Sequence, residues 1–187
     1  MEGFRKTMAS PLLLDMAIHT FDQARFLIGG DPISVRCHEF NPQGSWYEGN
    51  AAATCTFEFD NGVVFSYRGC WCAKGFPTSW ESSWRVVCTR GTVLWDGKGS
   101  PQAQVAIPFD QPVDLTTEVA PVEVPATSAG REGHEGCLDA LFASLRSGRT
   151  PETDCRDNIK SLAMVFGAIE SARSGQVVDL RALGVGT

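Results

Sequence analysis

No run of apolar residues approaches the roughly 20 that a helix needs to cross a bilayer. No basic stripe is present either, and the net charge is −6. A nucleic-acid partner is therefore excluded, because phosphate binding works by displacing counterions with clustered Lys and Arg. The acidic balance also argues against an anionic membrane surface. Neither a glycine-rich dinucleotide turn nor a P-loop occurs, so the chain shows no cradle for nucleotide phosphates. Residues Met1 to Lys6 carry no signal-peptide core, and Leu12-Leu13-Leu14 is short and followed at once by Asp15. An even cysteine count is lacking: seven of them lie scattered at 37, 55, 70, 72, 88, 137 and 155. An odd, dispersed set is not a secreted disulfide framework, so a reducing cytoplasm is the expected location. Internal repeats and low-complexity segments are lacking too.

What is present is an ordinary globular composition of 187 residues, 43% hydrophobic and 20% charged. Length and composition predict a single domain over residues 1–187, with residues 1–10 irregular. Leu14, Ile18, Phe21 and Ile28 recur at helical spacing and predict a helix from Pro11 to Ile28. Ser10 would cap its start, with proline in the first turn, and Gly29-Gly30 followed by Asp31-Pro32 would stop it. From Ile33 to Ile107 the period changes to two. Ala53 to Phe59 alternates apolar and polar residues, and Asp60-Asn61-Gly62 is a hairpin signal. Val63, Phe65, Tyr67 and Trp71 read as the return strand. Further strands carry Trp84, Val86 and Cys88, then Thr92 to Trp95, then residues 103–107. Residues 108–130 have no period and read as a long surface connection. Two helices follow, Glu132 to Ser147 with Leu138, Leu141, Phe142 and Leu145 inward, and Asp154 to Ser174 with Ile159, Leu162, Ala163, Phe166 and Ile169 inward. Val177 to Leu180 reads as an edge strand or docked tail. The predicted class is α+β: an open, predominantly antiparallel sheet, helices on one face, the other face free for oligomerisation.

Asp15, His19 and Asp22 stand at i, i+4 and i+7 on the first helix, which puts their side chains on one face. A carboxylate beside an imidazole raises the imidazole pKa and fixes its tautomer, and such a pair can shuttle a proton to a substrate hydroxyl. The same spacing also suits a solvated face on which Asp15 and His19 form a small ion pair.

The longer string Pro11-Leu-Leu-Leu-Asp15-Met-Ala-Ile-His19-Thr-Phe-Asp22 resembles the Asp-x-x-x-His-x-x-Asp helix of the Gfo/Idh/MocA oxidoreductases, the family of glucose–fructose oxidoreductase and inositol dehydrogenase. Gly62-Val-Val-Phe65, Trp80-Glu81 and Val86-Val87 resemble that family's central sheet. Thr89-Arg-Gly-Thr-Val-Leu94 resembles its Gly-Thr hairpin. Gly148-Arg-Thr-Pro-Glu-Thr153, with the helix ending Glu170-Ser-Ala-Arg-Ser-Gly175, resembles its C-terminal helix pair. The four motifs come in family order and span Pro11 to Leu180. The resemblance implies the C-terminal, substrate-binding and dimerisation domain of an NAD(P)-dependent oxidoreductase acting on a sugar, cyclitol or related polyol. In such an enzyme hydride passes from a carbinol carbon to the nicotinamide. His19 would handle the hydroxyl proton and Asp15 would hold substrate or assist. Asp22 would be structural, paired with Arg25. Met8-Ala-Ser-Pro11 stands where the family usually has a glycine pair. No counterpart is seen of the Rossmann domain, of the Glu-Lys-Pro segment with its lysine, or of the domain's opening strand. NAD or NADP would therefore serve the intact enzyme, with none expected on this chain, which would be inactive alone. A homodimer or tetramer through the sheet face is the implied assembly.

Other residues read more simply. Cys70-Trp71-Cys72 lacks the second pair that a structural zinc wants, so packing on the strand face is expected. His38 and His134 have no second ligand at metal spacing. Of Trp46, Trp71, Trp80, Trp84 and Trp95, Trp80 is the candidate to line a sugar pocket, and most of the rest should be core or interface. Glu58, Arg68 and Arg85 suit cross-strand ion pairs. Two other function classes stay open: a free-standing, non-catalytic oligomerisation or ligand-binding module, and a cofactor-free acid/base enzyme built on Asp15 and His19, which would need an enclosed pocket beside that helix.

Overall fold

The computed structural model describes residues 3–109, 111–125, 131 and 133–183. Its contacts group into two units, Met1–Lys74 with Ala140–Thr187, and Gly75–Asp139. The α+β class holds, but the alternating residues form two four-stranded antiparallel sheets rather than one.

In the first unit, strands β1 (Pro32–Phe40), β2 (Ala52–Phe59), β3 (Val64–Cys70) and β8 (Val178–Asp179) lie in the order β3-β2-β1-β8. The register places Cys37 opposite Cys55 and Val35 opposite Phe57, then Cys55 opposite Tyr67 and Phe57 opposite Phe65. All these residues share one parity, so all fall on one face, and that face is the core. Its other face carries Arg36, His38, Thr54, Thr56, Glu58 and Arg68, all at least partly exposed. Asn61 and Gly62 make the β2–β3 turn as the sequence predicts, Gly62 at φ 81°. Glu58 accepts from the Ser34 hydroxyl at 3.0 Å, and Arg68 and Arg85 form no ion pair among the described residues, so the expected cross-strand pairs are not made.

A helix covers the buried face from Pro11 onward. It starts as a π-helical stretch, Leu12–Ala17, and becomes α2 at Ile18–Ile28. Widening a turn by one residue rotates everything before it against everything after it. Leu12, Leu13 and Ala17 therefore join Phe21 and Ala24 in the core, and Leu14, expected inside, is 37% exposed. Phe21 is fully buried, its ring edge-on to Phe57 at 4.8 Å and to Tyr67 at 5.1 Å. Ser10 does not cap the helix with its side chain; its hydroxyl donates to Glu39 at 3.0 Å. Gly29 does end it, in the left-handed region at φ 65°.

The long helix α4 (Cys155–Ser174) packs on β1 through Met164, Val165, Ala168 and Ser171. Ile159, Leu162 and Phe166, expected inward, are exposed, whereas Ala163 is buried and Ile169 packs on the core. Small residues decide the facing: a Cβ at Gly167 would strike Leu180, so the helix approaches closest along its small side. Buried Ser171 serves the edge of β1 beyond its pairing with β8, accepting from the Cys37 N–H at 2.9 Å and donating to the Gln176 carbonyl at 2.6 Å. Leu180, just past β8, is fully buried, as a docked tail should be.

The second unit is a meander of β4 (Trp84–Cys88), β5 (Gly91–Trp95), β6 (Gln102–Ile107) and β7 (Glu118–Val122). β7 lies inside the stretch expected to be a connection; Pro121 disguises it, and an edge strand tolerates proline. Ala106 is the buried hydrophobic residue of this sheet, while Val87, Leu94, Val119 and Val122 are exposed. None of the five tryptophans is in the core; Trp71 packs against its rim. Helix α3 (Gly133–Ser147) has no buried residue, so Leu138, Leu141, Phe142 and Leu145 are exposed rather than inward.

Candidate functional site

The N-terminal residues build one end of the first unit. Phe4–Thr7 forms a single helical turn, α1, from which Arg5 reaches Asp15 with two bonds, Nε to Oδ2 at 2.7 Å and Nη2 to Oδ1 at 3.1 Å. The Arg5 guanidinium also lies 4.7 Å from the Phe4 ring centroid. Loop 41–51 is strapped to this segment by Glu48 N–H to the Lys6 carbonyl and Asn50 N–H to the Ala9 carbonyl, both at 2.8 Å. That contact requires glycine at 49, where a Cβ would fall on the carbonyl oxygens of Met8 and Ala9.

Asp15 is partly exposed and His19 exposed, so neither is sealed in the core. Among the described residues no hydrogen bond joins them: the bidentate guanidinium takes both carboxylate oxygens, and a fork of this kind outcompetes a single imidazole N–H. The hydrogen-bonded Asp–His pair is thus not formed. Asp22 accepts from the Ser161 hydroxyl at 2.5 Å and lies 3.7 Å from Arg25, the pairing expected for it. Arg25 is itself buried, donating to Ser161 at 2.9 Å and Asp157 at 2.8 Å, and so ties α2 to α4.

Two residues beside this end, Glu39 and Tyr47, escaped the motif reading. Glu39 occupies the inward parity of β1 after Val35 and Cys37, and burial pushes its carboxyl above the usual range against the opposing pull of the Ser10 hydroxyl. An acid in an otherwise apolar parity is a signal that the sequence does carry. Tyr47 stacks on Trp71, ring centroids 5.4 Å apart and planes at 3°. Burial raises the Tyr47 phenol, and the charges of Arg5 and Asp15 both reach it. This pairing is set by the loop path and has no spacing signature.

A cleft of about 570 Å³ lies along the far half of α2, lined by Asp22, Arg25, Asp31, Glu152 and Asp157 among others. A second cleft, of about 620 Å³, lies in the second unit beside Arg85 and Gln104. Neither of these two clefts is lined by Asp15 or His19. Trp80 belongs to the second unit and is 76% exposed. No group of three or more His, Cys, Asp or Glu is placed to hold a metal among the described residues. No helix among them is long and apolar enough to cross a membrane. Every sheet pairing among the described residues is antiparallel, so they contain no doubly wound parallel sheet.

The family model described as "Oxidoreductase family, C-terminal alpha/beta domain" matches residues 4–180, so the chain belongs to the Gfo/Idh/MocA oxidoreductase family as a C-terminal domain. An uncharacterised protein of Sinorhizobium fredii, y4oX, is 27% identical over 180 residues, covering 95% of this chain and 49% of the relative. A D-apiose dehydrogenase of Paraburkholderia graminis is 28% identical over 180 residues, covering 90% of this chain and 44% of that enzyme. Among solved structures, an oxidoreductase from Agrobacterium radiobacter in complex with NAD+, L-tartaric acid and magnesium superposes with a TM-score of 0.72 at 22% identity, over 96% of this chain and 52% of that one. The chain spans about half the length of the curated relatives it matches.

Proposed function

We propose that this chain is the substrate side of an NAD(P)-dependent dehydrogenase of sugars, cyclitols or related polyols, and that it does not turn over alone. The observation that carries this reading is the family match over residues 4–180 with Asp15 and His19 together at the surface of one helix. A D-apiose dehydrogenase among its relatives supports a polyhydroxylated substrate. The nicotinamide, held outside the described residues, supplies the hydride acceptor. His19 takes the hydroxyl proton: it is exposed and unpartnered among the described residues, hence free to meet a substrate oxygen. Asp15, already gripped by Arg5, acts as an acceptor fixed in place for a second hydroxyl. Trp80 offers a separate indole face to a sugar ring.

The test is ligand-observed NMR of the purified chain with D-apiose, pentoses, hexoses and inositols, run beside a dehydrogenase assay with NAD+ and NADP+. Saturation transfer to at least one polyol, lost in His19→Ala and Asp15→Asn and weakened in Trp80→Ala, is the expected result, with no turnover. Sustained NAD(P)-dependent oxidation by the chain alone refutes the assignment to the substrate side.

A second reading, a non-catalytic oligomerising module, rests on the exposed Val87, Leu94, Val119 and Val122 of the second sheet. A concentration-independent dimer in sedimentation that binds no polyol would favour it.

A further inference from the structure

We propose that Cys70 and Cys72 are a reversible dithiol, closing to an intramolecular disulfide at the edge of the first sheet. The proposal stands independently of the dehydrogenase reading. Of the seven cysteines, these two alone among the described residues combine a neighbouring thiol with access from solvent. Their sulfurs are 3.7 Å apart, Cys70 exposed and Cys72 half-buried. Cys37 and Cys55 also meet, at 3.3 Å, but both are buried in the core, out of reach of an oxidant. Cys88, Cys137 and Cys155 are exposed with no described thiol beside them.

The backbone permits closure. In a fully extended strand, residues i and i+2 put their Cα atoms roughly 6.6 Å apart, near the upper limit of about 6.8 Å for a disulfide. Here Cys70 is the last residue of β3, an outer strand of its sheet, and Trp71 and Cys72 already bend into a turn. The ladder ends with the Trp71 N–H to the Ala51 carbonyl at 2.8 Å, so the sulfurs can approach to the ~2.05 Å of a disulfide without breaking a strand pair.

Closure needs a two-electron oxidant, and a low-molecular-weight disulfide such as oxidised glutathione supplies it. The Cys70 thiolate attacks one sulfur of that disulfide and expels the first thiolate, leaving a mixed disulfide on Cys70. The Cys72 thiol then loses its proton, attacks the Cys70 sulfur and expels the second thiolate. Two protein thiols become one disulfide and the oxidant becomes two thiols. Burial and the neighbouring sulfur push the Cys72 thiol above its ordinary value, which suits it to the second step rather than the first. Trp71 lies between the two cysteines in the chain and stacks on Tyr47, so ring closure is felt where the charges of Arg5 and Asp15 converge.

Tryptic digestion isolates the pair, since Gly69–Lys74 contains both cysteines and no others. The reduced full chain is incubated with oxidised glutathione, quenched in acid, treated with N-ethylmaleimide and digested. The expected peptide is lighter by two hydrogens and takes no maleimide, and dithiothreitol restores both reactive thiols. In Cys72→Ser the reaction should halt with glutathione on Cys70. The proposal is overturned if the peptide takes two maleimides, or carries glutathione on both sulfurs, under conditions where Cys88, Cys137 and Cys155 have already reacted.

Discussion

Arg5 holds Asp15 by two parallel N–H···O bonds of 2.7 and 3.1 Å, joining the first helical turn to the π-helical stretch ten residues on. The charge that the motif would place beside His19 is thereby spent on a partner from the N-terminal segment. Arg5→Ala should release that segment. Its arm is exposed, so the effect is local rather than global. Faster amide hydrogen exchange is expected at Phe4–Thr7 and at Glu48, whose N–H bonds the Lys6 carbonyl, with the midpoint of chemical unfolding little moved. High salt should reproduce part of the effect in the unmodified chain.

Phe21→Ala removes the ring against which Phe57, Phe65 and Tyr67 all pack. A fully buried phenylalanine costs about 3–5 kcal/mol on truncation to alanine. Urea unfolding followed by tryptophan fluorescence should show a loss of that size; a loss below about 1 kcal/mol would mean this core is not packed as described.

Arg25→Ala cuts the bonds to Ser161 and Asp157 that tie α2 to α4. Asp157 is half exposed and stays solvated without its partner, so the cost should be about 2 kcal/mol, that of a charged hydrogen bond, rather than that of an orphaned buried ion. Asp157→Asn should cost less than Arg25→Ala, since the Ser161 bond survives.

Glu39 titrates with the opposite sign to most carboxylates. Its folded-state pKa is raised by burial, so the folded chain binds that proton more tightly than the unfolded chain does. This contribution is fully present below the usual glutamate range, about pH 4.3, and is lost as pH rises through the raised value. Glu39→Gln keeps an acceptor for Ser10 and removes the buried charge. The variant's stability relative to the parent should therefore climb with pH from that range upward and then level off. Denaturant midpoints across the acid range measure it, and a difference independent of pH would assign Ser10–Glu39 a purely neutral role.

The strand parities were legible because each burying strand of the first unit repeats one residue class at period two: Val35 and Cys37, then Cys55, Phe57 and Phe59, then Phe65 and Tyr67. Gly29 and Gly175 also mark where their helices stop, because only a residue without a Cβ turns left-handed there at little cost. Helix facing was less legible. Leu14 and Phe166 fit a helical stripe, yet a π-helical turn displaces the first and the close approach at Gly167 turns the second outward. Spacing counts residues per turn and does not see either event. At the candidate site, the sequence marked Asp15, His19 and Asp22 as neighbours. It could not show that Arg5 would claim Asp15, since that bond depends on how residues 3–10 lie against loop 41–51. Tyr47 on Trp71 was hidden for the same reason.

Helix α3 presents four large apolar side chains and buries none of its 15 residues. A helix of about that length is marginal in water without a surface to lean on. Its degree of order is thus a gauge: helical circular dichroism should rise, and amide exchange over residues 133–147 should slow, under any condition that shields Leu141 and Phe142 from solvent.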